Sequence, residues 1–130
     1  MKKSVAVDPN DTVESLYNRW LFSEGIKGLG EAVDLIADKK APRIPQPEEG
    51  ASYEPLLNKK ESSQVKFENL SAQQLHNFIR GCDKVPGAWV VIDGQTVKLF
   101  GSRLWDGALP SGIELKVEGM SRPGIIHYEG

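Results

Sequence analysis

Pro42, Pro45, Pro47 and Pro55 fall in one stretch, Lys39–Gln64, among Glu48, Glu49, Gly50, Lys59, Lys60 and Glu61 and few apolar anchors. Each proline fixes φ and removes an N–H donor, so such a stretch enters neither a helix interior nor a central strand and runs extended over a surface. The chain is therefore expected to divide into a helical piece over 1–40, an extended linker over 41–64 and a second folded piece over 65–130.

The rest of the composition narrows the class. The chain has 130 residues, and sixteen basic against eighteen acidic side chains leave a formal charge of −2. No bulk field favours nucleic acid or an anionic membrane. No run approaches the roughly 18 apolar residues of a membrane span, and Met1-Lys2-Lys3 is followed by Ser4-Val5-Ala6-Val7-Asp8 rather than a secretory core. One cysteine, Cys82, excludes an internal disulfide framework and suits a reducing compartment. Thirteen glycines and eight prolines favour short elements separated by turns.

In the first piece, Asp11-Thr12-Val13-Glu14 predicts a helix start with Asp11 as N-cap and Glu14 at N3. Val13, Leu16, Tyr17, Trp20 and Leu21 recur at helical spacing and predict one buried stripe. A second stripe, Ile26, Leu29, Val33, Ile36 and Ala37, lies well off that phase, which predicts a break near Ser23-Glu24-Gly25. Gly28 and Gly30 each cost about 1 kcal/mol relative to alanine inside a helix, and close approach of another backbone would compensate.

Leu70-Ser71-Ala72-Gln73-Gln74-Leu75 predicts a second helix. Ser71 and Gln74 form a capping box, Leu70 and Leu75 a hydrophobic staple, and Leu75, Phe78 and Ile79 the buried face. Gly81 is placed for a left-handed residue after the helix, and Pro86 forbids continuation. Ala88–Ile92 and Gln95–Phe100 flank Asp93-Gly94, which predicts a two-residue hairpin with Val91 opposite Thr96 and Trp89 opposite Lys98. Further strands are expected at Gly112–Glu118, where Ile113, Leu115 and Val117 alternate with polar residues, and at Gly124–Tyr128. The fold class read from these elements is α+β, with one helix leading into a small antiparallel barrel of the OB type.

Chemistry is sparse. His76, His127 and Cys82 lie far apart, with no spacing that enforces a metal geometry. Gly25-Ile26-Lys27-Gly28-Leu29-Gly30 matches no phosphate-binding loop. Neither histidine has a visible orienting acid, and Cys82 follows a helix C-terminus, where the dipole disfavours a thiolate. Arg80, Lys84 and Arg103 with Trp89 or Trp105 would suit a nucleic-acid surface, but Asp83, Asp93 and Asp106 interrupt them. The expectation is no catalytic, no cofactor-binding and no metal-binding residue in this chain, and no nucleic-acid or membrane partner.

Four segments carry a resemblance: Asp11–Arg19, Glu24–Gly28, Ala41–Tyr53, and Leu75–Gly81 followed by Asp83-Lys84-Val85-Pro86-Gly87-Ala88-Trp89. In this order they resemble the later part of the amino-terminal hydrolase unit of the 10-formyltetrahydrofolate dehydrogenase family. The resemblance implies that 1–40 is the helical end of a formyltransferase catalytic domain, with two helices closing a Rossmann-like domain, 41–64 a linker crossing it, and 65–130 the formyltransferase C-terminal barrel. It also implies 10-formyltetrahydrofolate as substrate, and NADP and phosphopantetheine as cofactors of the longer parent. The parent is expected to be a homo-oligomer, cytoplasmic or alternatively mitochondrial.

The family's His-Pro-Ser-Leu-Leu-Pro and Leu-Asp-Thr-Gly elements, which carry its catalytic asparagine, histidine and aspartate, are absent from this sequence. His76 matches the barrel-entry helix and does not stand in for the missing histidine. The segment is thus expected to be inactive alone and to need the missing catalytic half of the same chain as partner. Arg122–Gly130 resembles the family's penultimate strand, so the barrel is expected to be incomplete with an open edge.

Overall fold

The computed structural model describes residues 2–54, 56–57, 59–68, 70–108, 111–120 and 124–126. The chain divides into two compact units, Met1–Pro55 and Leu56–Gly130.

The first unit is one helical run: α1 (Val13–Leu16), a π-helical turn (Tyr17–Leu21) and α2 (Phe22–Ala37). The N-cap is Thr12, one residue later than expected from the sequence. Its hydroxyl accepts from the Ser15 N–H at 3.2 Å, and the Ser15 hydroxyl accepts from the Thr12 N–H at 2.9 Å. Asp11 is unavailable as cap because its carboxylate accepts from the Asp8 N–H and the Ser15 hydroxyl, both at 2.8 Å, and pairs with Arg19.

No break occurs at Ser23–Gly25. The change of phase is taken up earlier, where the Phe22 N–H bonds to the Tyr17 carbonyl across five residues and inserts one residue into the turn. The run ends in a Schellman motif: the Lys40 N–H reaches the Leu35 carbonyl at 2.8 Å and the Lys39 N–H the Ile36 carbonyl at 3.0 Å. Lys39 takes the left-handed φ of 56° that glycine ordinarily supplies there.

The second unit begins with a 3₁₀ turn (Lys60–Ser63), followed by α3 (Ala72–Cys82). The expected capping box is present: the Ser71 hydroxyl accepts from the Gln74 N–H at 3.2 Å, and the Gln74 side chain accepts from the Ser71 N–H at 2.8 Å. Ser71→Ala should lower the unfolding free energy of this unit by about 1 kcal/mol, read from a denaturant midpoint shift at constant slope; an unmoved midpoint would mean the box carries no stability. Gly81 lies inside α3, and the left-handed residue is Asp83, with φ of 46°. An aspartate tolerates that conformation because its carboxylate accepts locally, here from the Lys84 N–H at 2.9 Å.

Strands β1 (Ala88–Ile92) and β2 (Gln95–Leu99) form the expected hairpin, with Val91 opposite Thr96 and Trp89 opposite Lys98. Asp93 and Gly94 have φ of 47° and 77°, the two positive values of a type I′ turn. The other edge of β1 is also used: Val65 donates to the Trp89 carbonyl at 2.9 Å and Glu118 to the Val91 carbonyl at 3.0 Å. Strands β3 (Ile113–Leu115) and β4 (Gly124–Ile126) pair antiparallel, and Val117 bridges to Ile92. These are shorter than the expected Gly112–Glu118 and Gly124–Tyr128, and His127 and Tyr128 lie outside the described residues. Among the described residues the strands form two open two-stranded sheets, not a closed barrel.

The core of this unit is Val65, Ile79, Cys82, Ala88 and Val90, flanked by Leu75, Phe78, Phe67, Ile92, Leu99 and Val117. The predicted buried face of α3 is thus in place. Gly87, at φ of 81°, lets the Phe100 ring approach a β-carbon position to 3.2 Å, so a side chain there would be strained and crowded at once.

Candidate functional site

His76, Arg80, Trp89 and Trp105 in the second unit have structural partners. His76 is 4% exposed, and its Nδ1 lies 2.9 Å from Ser102 Oγ, tying α3 to the segment after β2. Burial pushes the Cys82 thiol up, the wrong direction for a nucleophile at neutral pH. Arg80 donates to Asn77 at 3.0 Å. The Trp89 indole N–H donates to the Lys60 carbonyl at 2.8 Å while the Lys60 ammonium sits 5.0 Å from the ring centroid, a cation–π contact within one unit. Trp105 is 67% exposed, with its indole N–H closed onto the Ala108 carbonyl at 2.8 Å. The structure therefore gives His76, Cys82 and Trp89 packing and bonding duties. His127 is outside the described residues. Among the described residues, no three His, Cys, Asp or Glu side chains converge in a metal-holding group, and no helix is long and apolar enough to cross a membrane.

The first unit is more distinctive. Its polar side straps the amino-terminal arm to the helix: Lys3 pairs with Glu31 at 2.9 Å and Glu24 at 3.2 Å, and Arg19 reaches the Ala6 carbonyl at 3.1 Å, Asp8 and Asp11. Arg19, the Asp8 N–H and the Ser15 hydroxyl together lower the Asp11 carboxyl to about 2, against a smaller opposing effect of burial. Lys27, then Lys3, also holds Glu24 below the ordinary carboxylate range.

The folded chain thus binds fewer protons at Asp11 than the unfolded chain. The resulting stabilisation is fully present above the ordinary value of 3.8 and is lost as pH falls through about 2. In Arg19→Ala the Asp11 midpoint, followed by carboxyl NMR, should rise toward its ordinary value; an unchanged midpoint would remove Arg19 from the account. The sequence left this pair unread because Asp11 looked like a cap. The clue was Arg19, two turns down on the same side of the helix.

The apolar side is bare. Tyr17 is 49% exposed, Leu29 68% and Ile36 66%, with Val13, Leu21, Phe22, Ile26 and Val33 also exposed. This corrects the expectation that the Val13–Leu21 stripe is buried: within the described residues Val13, Tyr17 and Leu21 are exposed and Leu16 and Trp20 only half-buried. Beside it a groove of about 360 Å³ is floored by Gly25, Gly28 and Ala32, walled by Trp20 and Leu21, and rimmed by Lys3 and Glu24. Nothing lies within 4 Å of a β-carbon built on Gly30, so the close backbone approach expected there is not made within the described residues, and the space over Gly25 is equally open.

Residues 58–127, more than half of the chain and nearly all of the second unit, match the family described as formyl transferase, C-terminal domain. The chain belongs to that family. Over all 130 residues it is 54% identical to the human protein named mitochondrial 10-formyltetrahydrofolate dehydrogenase, and over 131 aligned positions 49% identical to the human cytosolic one. It is 35% identical over 111 residues, 85% of this chain, to methionyl-tRNA formyltransferase of Desulforamulus reducens. The chain spans only about 14% of the length of the two dehydrogenases, and its aligned part 32% of the transferase. The relatives thus confirm the resemblance carried by Asp11–Trp89, and their identity extends through the helical run and the proline stretch as well as the C-terminal domain.

Proposed function

We propose that this chain is the scaffold part of a formyl-folate hydrolase unit: it helps a longer polypeptide cleave 10-formyltetrahydrofolate to tetrahydrofolate and pass the formyl group on for NADP-dependent oxidation to CO2. The observation that carries this reading is the 54% identity running through both units and the stretch between them to a relative of that name. The methionyl-tRNA formyltransferase match is lower and covers less of the chain.

The chemistry agrees. Hydrolysis needs an activated water and a polarised formyl carbonyl held within about 3 Å of each other. His76 is committed to Ser102 inside the core, and Cys82 is buried with its thiol pushed up. Residues 1–40 form the helical end of the catalytic domain, 41–64 the linker and 65–130 the barrel domain. The catalytic groups, NADP and phosphopantetheine belong to the remainder of the polypeptide, which is the partner of this segment, and the assembled protein is a homo-oligomer of the cytoplasm or the mitochondrion.

In the test, the full-length polypeptide is supplied with 10-formyltetrahydrofolate and tetrahydrofolate release is followed. Turnover is expected. The second reading, a barrel contacting RNA, rests on the methionyl-tRNA formyltransferase relative. It predicts tRNA affinity that falls steeply with salt as counterions are released. Such binding, without folate cleavage, would replace the first reading by the second.

A further inference from the structure

On an unbroken α-helix, at about 100° per residue, the Val13–Leu21 and Ile26–Ala37 stripes would be centred roughly 180° apart. No single surface could cover both. The π-helical turn changes this: the Phe22 N–H reaches the Tyr17 carbonyl, so Tyr17–Leu21 holds one residue more than an α-turn would. One extra residue turns everything after it back by roughly 100°, which leaves the stripe centres about a quarter-turn apart. Tyr17 and Leu29, which would sit about 120° apart on a plain helix, come almost into line.

We infer that the Tyr17–Leu21 π turn is a phase-setting element of an interface, merging the two stripes into one apolar arc that docks on a broad apolar surface, such as a sheet face, in the remainder of the longer polypeptide. This inference rests on the functional reading above. The exposed members of the arc span on the order of 140°, wider than the narrow seam along which two helices pair, and suited to burial against a core. The arc runs the whole length from Val13 to Ala37 and is exposed except at half-buried Leu16 and Trp20, whereas the charged side of the helix is occupied by the amino-terminal arm through Lys3 and Arg19. The open space over Gly25 admits a close neighbour. The relatives supply the occupant's source: this chain aligns along its full length with proteins of which it covers about 14%.

The test is made in the full-length polypeptide. Deleting exposed Asn18 removes the extra residue of the π turn. A plain α-turn then takes its place and the two stripes keep their alignment, so amide hydrogen-exchange protection over Phe22–Ala37 should stay, as should that over Ala72–Cys82. Inserting one alanine between Ser23 and Glu24 of the otherwise unchanged polypeptide turns the second stripe about 100° away from the first, and protection over Phe22–Ala37 should fall at least about tenfold. Lost protection after the deletion, or retained protection after the insertion, overturns the inference. Protection of Phe22–Ala37 in the isolated chain that rises with its concentration would name a second copy as occupant and overturn it also. Leu29→Asp separates the two claims: if this variant keeps full protection, the covered face itself is wrong, whereas its loss of protection beside an intact insertion variant removes only the role of the turn.

Discussion

Leu29→Asp combined with Val33→Asp should leave the isolated chain within about 0.5 kcal/mol of its original stability and cripple the full-length polypeptide. Both side chains are exposed in the isolated chain, so a carboxylate there stays hydrated. On the docking proposed above, the same positions face an apolar surface in the longer protein. The loss there includes roughly 1.5–3 kcal/mol of burial for each side chain, with the cost of desolvating two carboxylates added. That sum is comparable with the whole stability of an ordinary domain, so the expected result is little soluble, active protein. The comparison is read from denaturation of the isolated chain and from yield and folate turnover of the full polypeptide. A full polypeptide that tolerates both aspartates would show that the bare stripe is a solvent-facing surface.

Ile79→Ala should cost the second unit about 2–5 kcal/mol. Ile79 lies at the centre of the cluster that joins α3 to β1 through Cys82, Ala88 and Val90. Ala88 is fully buried and Val90 nearly so, which leaves little freedom to close a cavity made by losing most of a side chain. Few of the unit's large side chains are well buried, so one deletion of this size should abolish cooperative unfolding near room temperature. A loss below about 1 kcal/mol by denaturant titration would mean that this cluster is not what holds the unit together.

The second unit was the more legible half of the sequence, because its signals are local. Ser71 with Gln74, and Asp93 with Gly94, each satisfy backbone groups within a few residues, and both appear as read. Where a local preference met a competing partner, the reading slipped by one or two positions. Asp11 yielded the cap to Thr12 because Arg19 and Ser15 claim its carboxylate, and the left-handed residue expected at Gly81 is Asp83. The first unit was misread for a deeper reason. Two stripes out of phase imply either a break or an inserted residue, and periodicity alone does not choose between them. The family resemblance names histidine and aspartate elements that do not occur in this sequence, whereas the strap of Lys3 and Arg19 across the helix joins residues far apart in sequence and left no local trace.

The most direct measurement is folate turnover by the isolated chain at high concentration, with 10-formyltetrahydrofolate as substrate and tetrahydrofolate release as readout. The account predicts a rate indistinguishable from the uncatalysed background, and activity only when these residues are part of the full polypeptide. Turnover by the isolated chain that disappears on substituting His76, Cys82 or any other of its own side chains would contradict it.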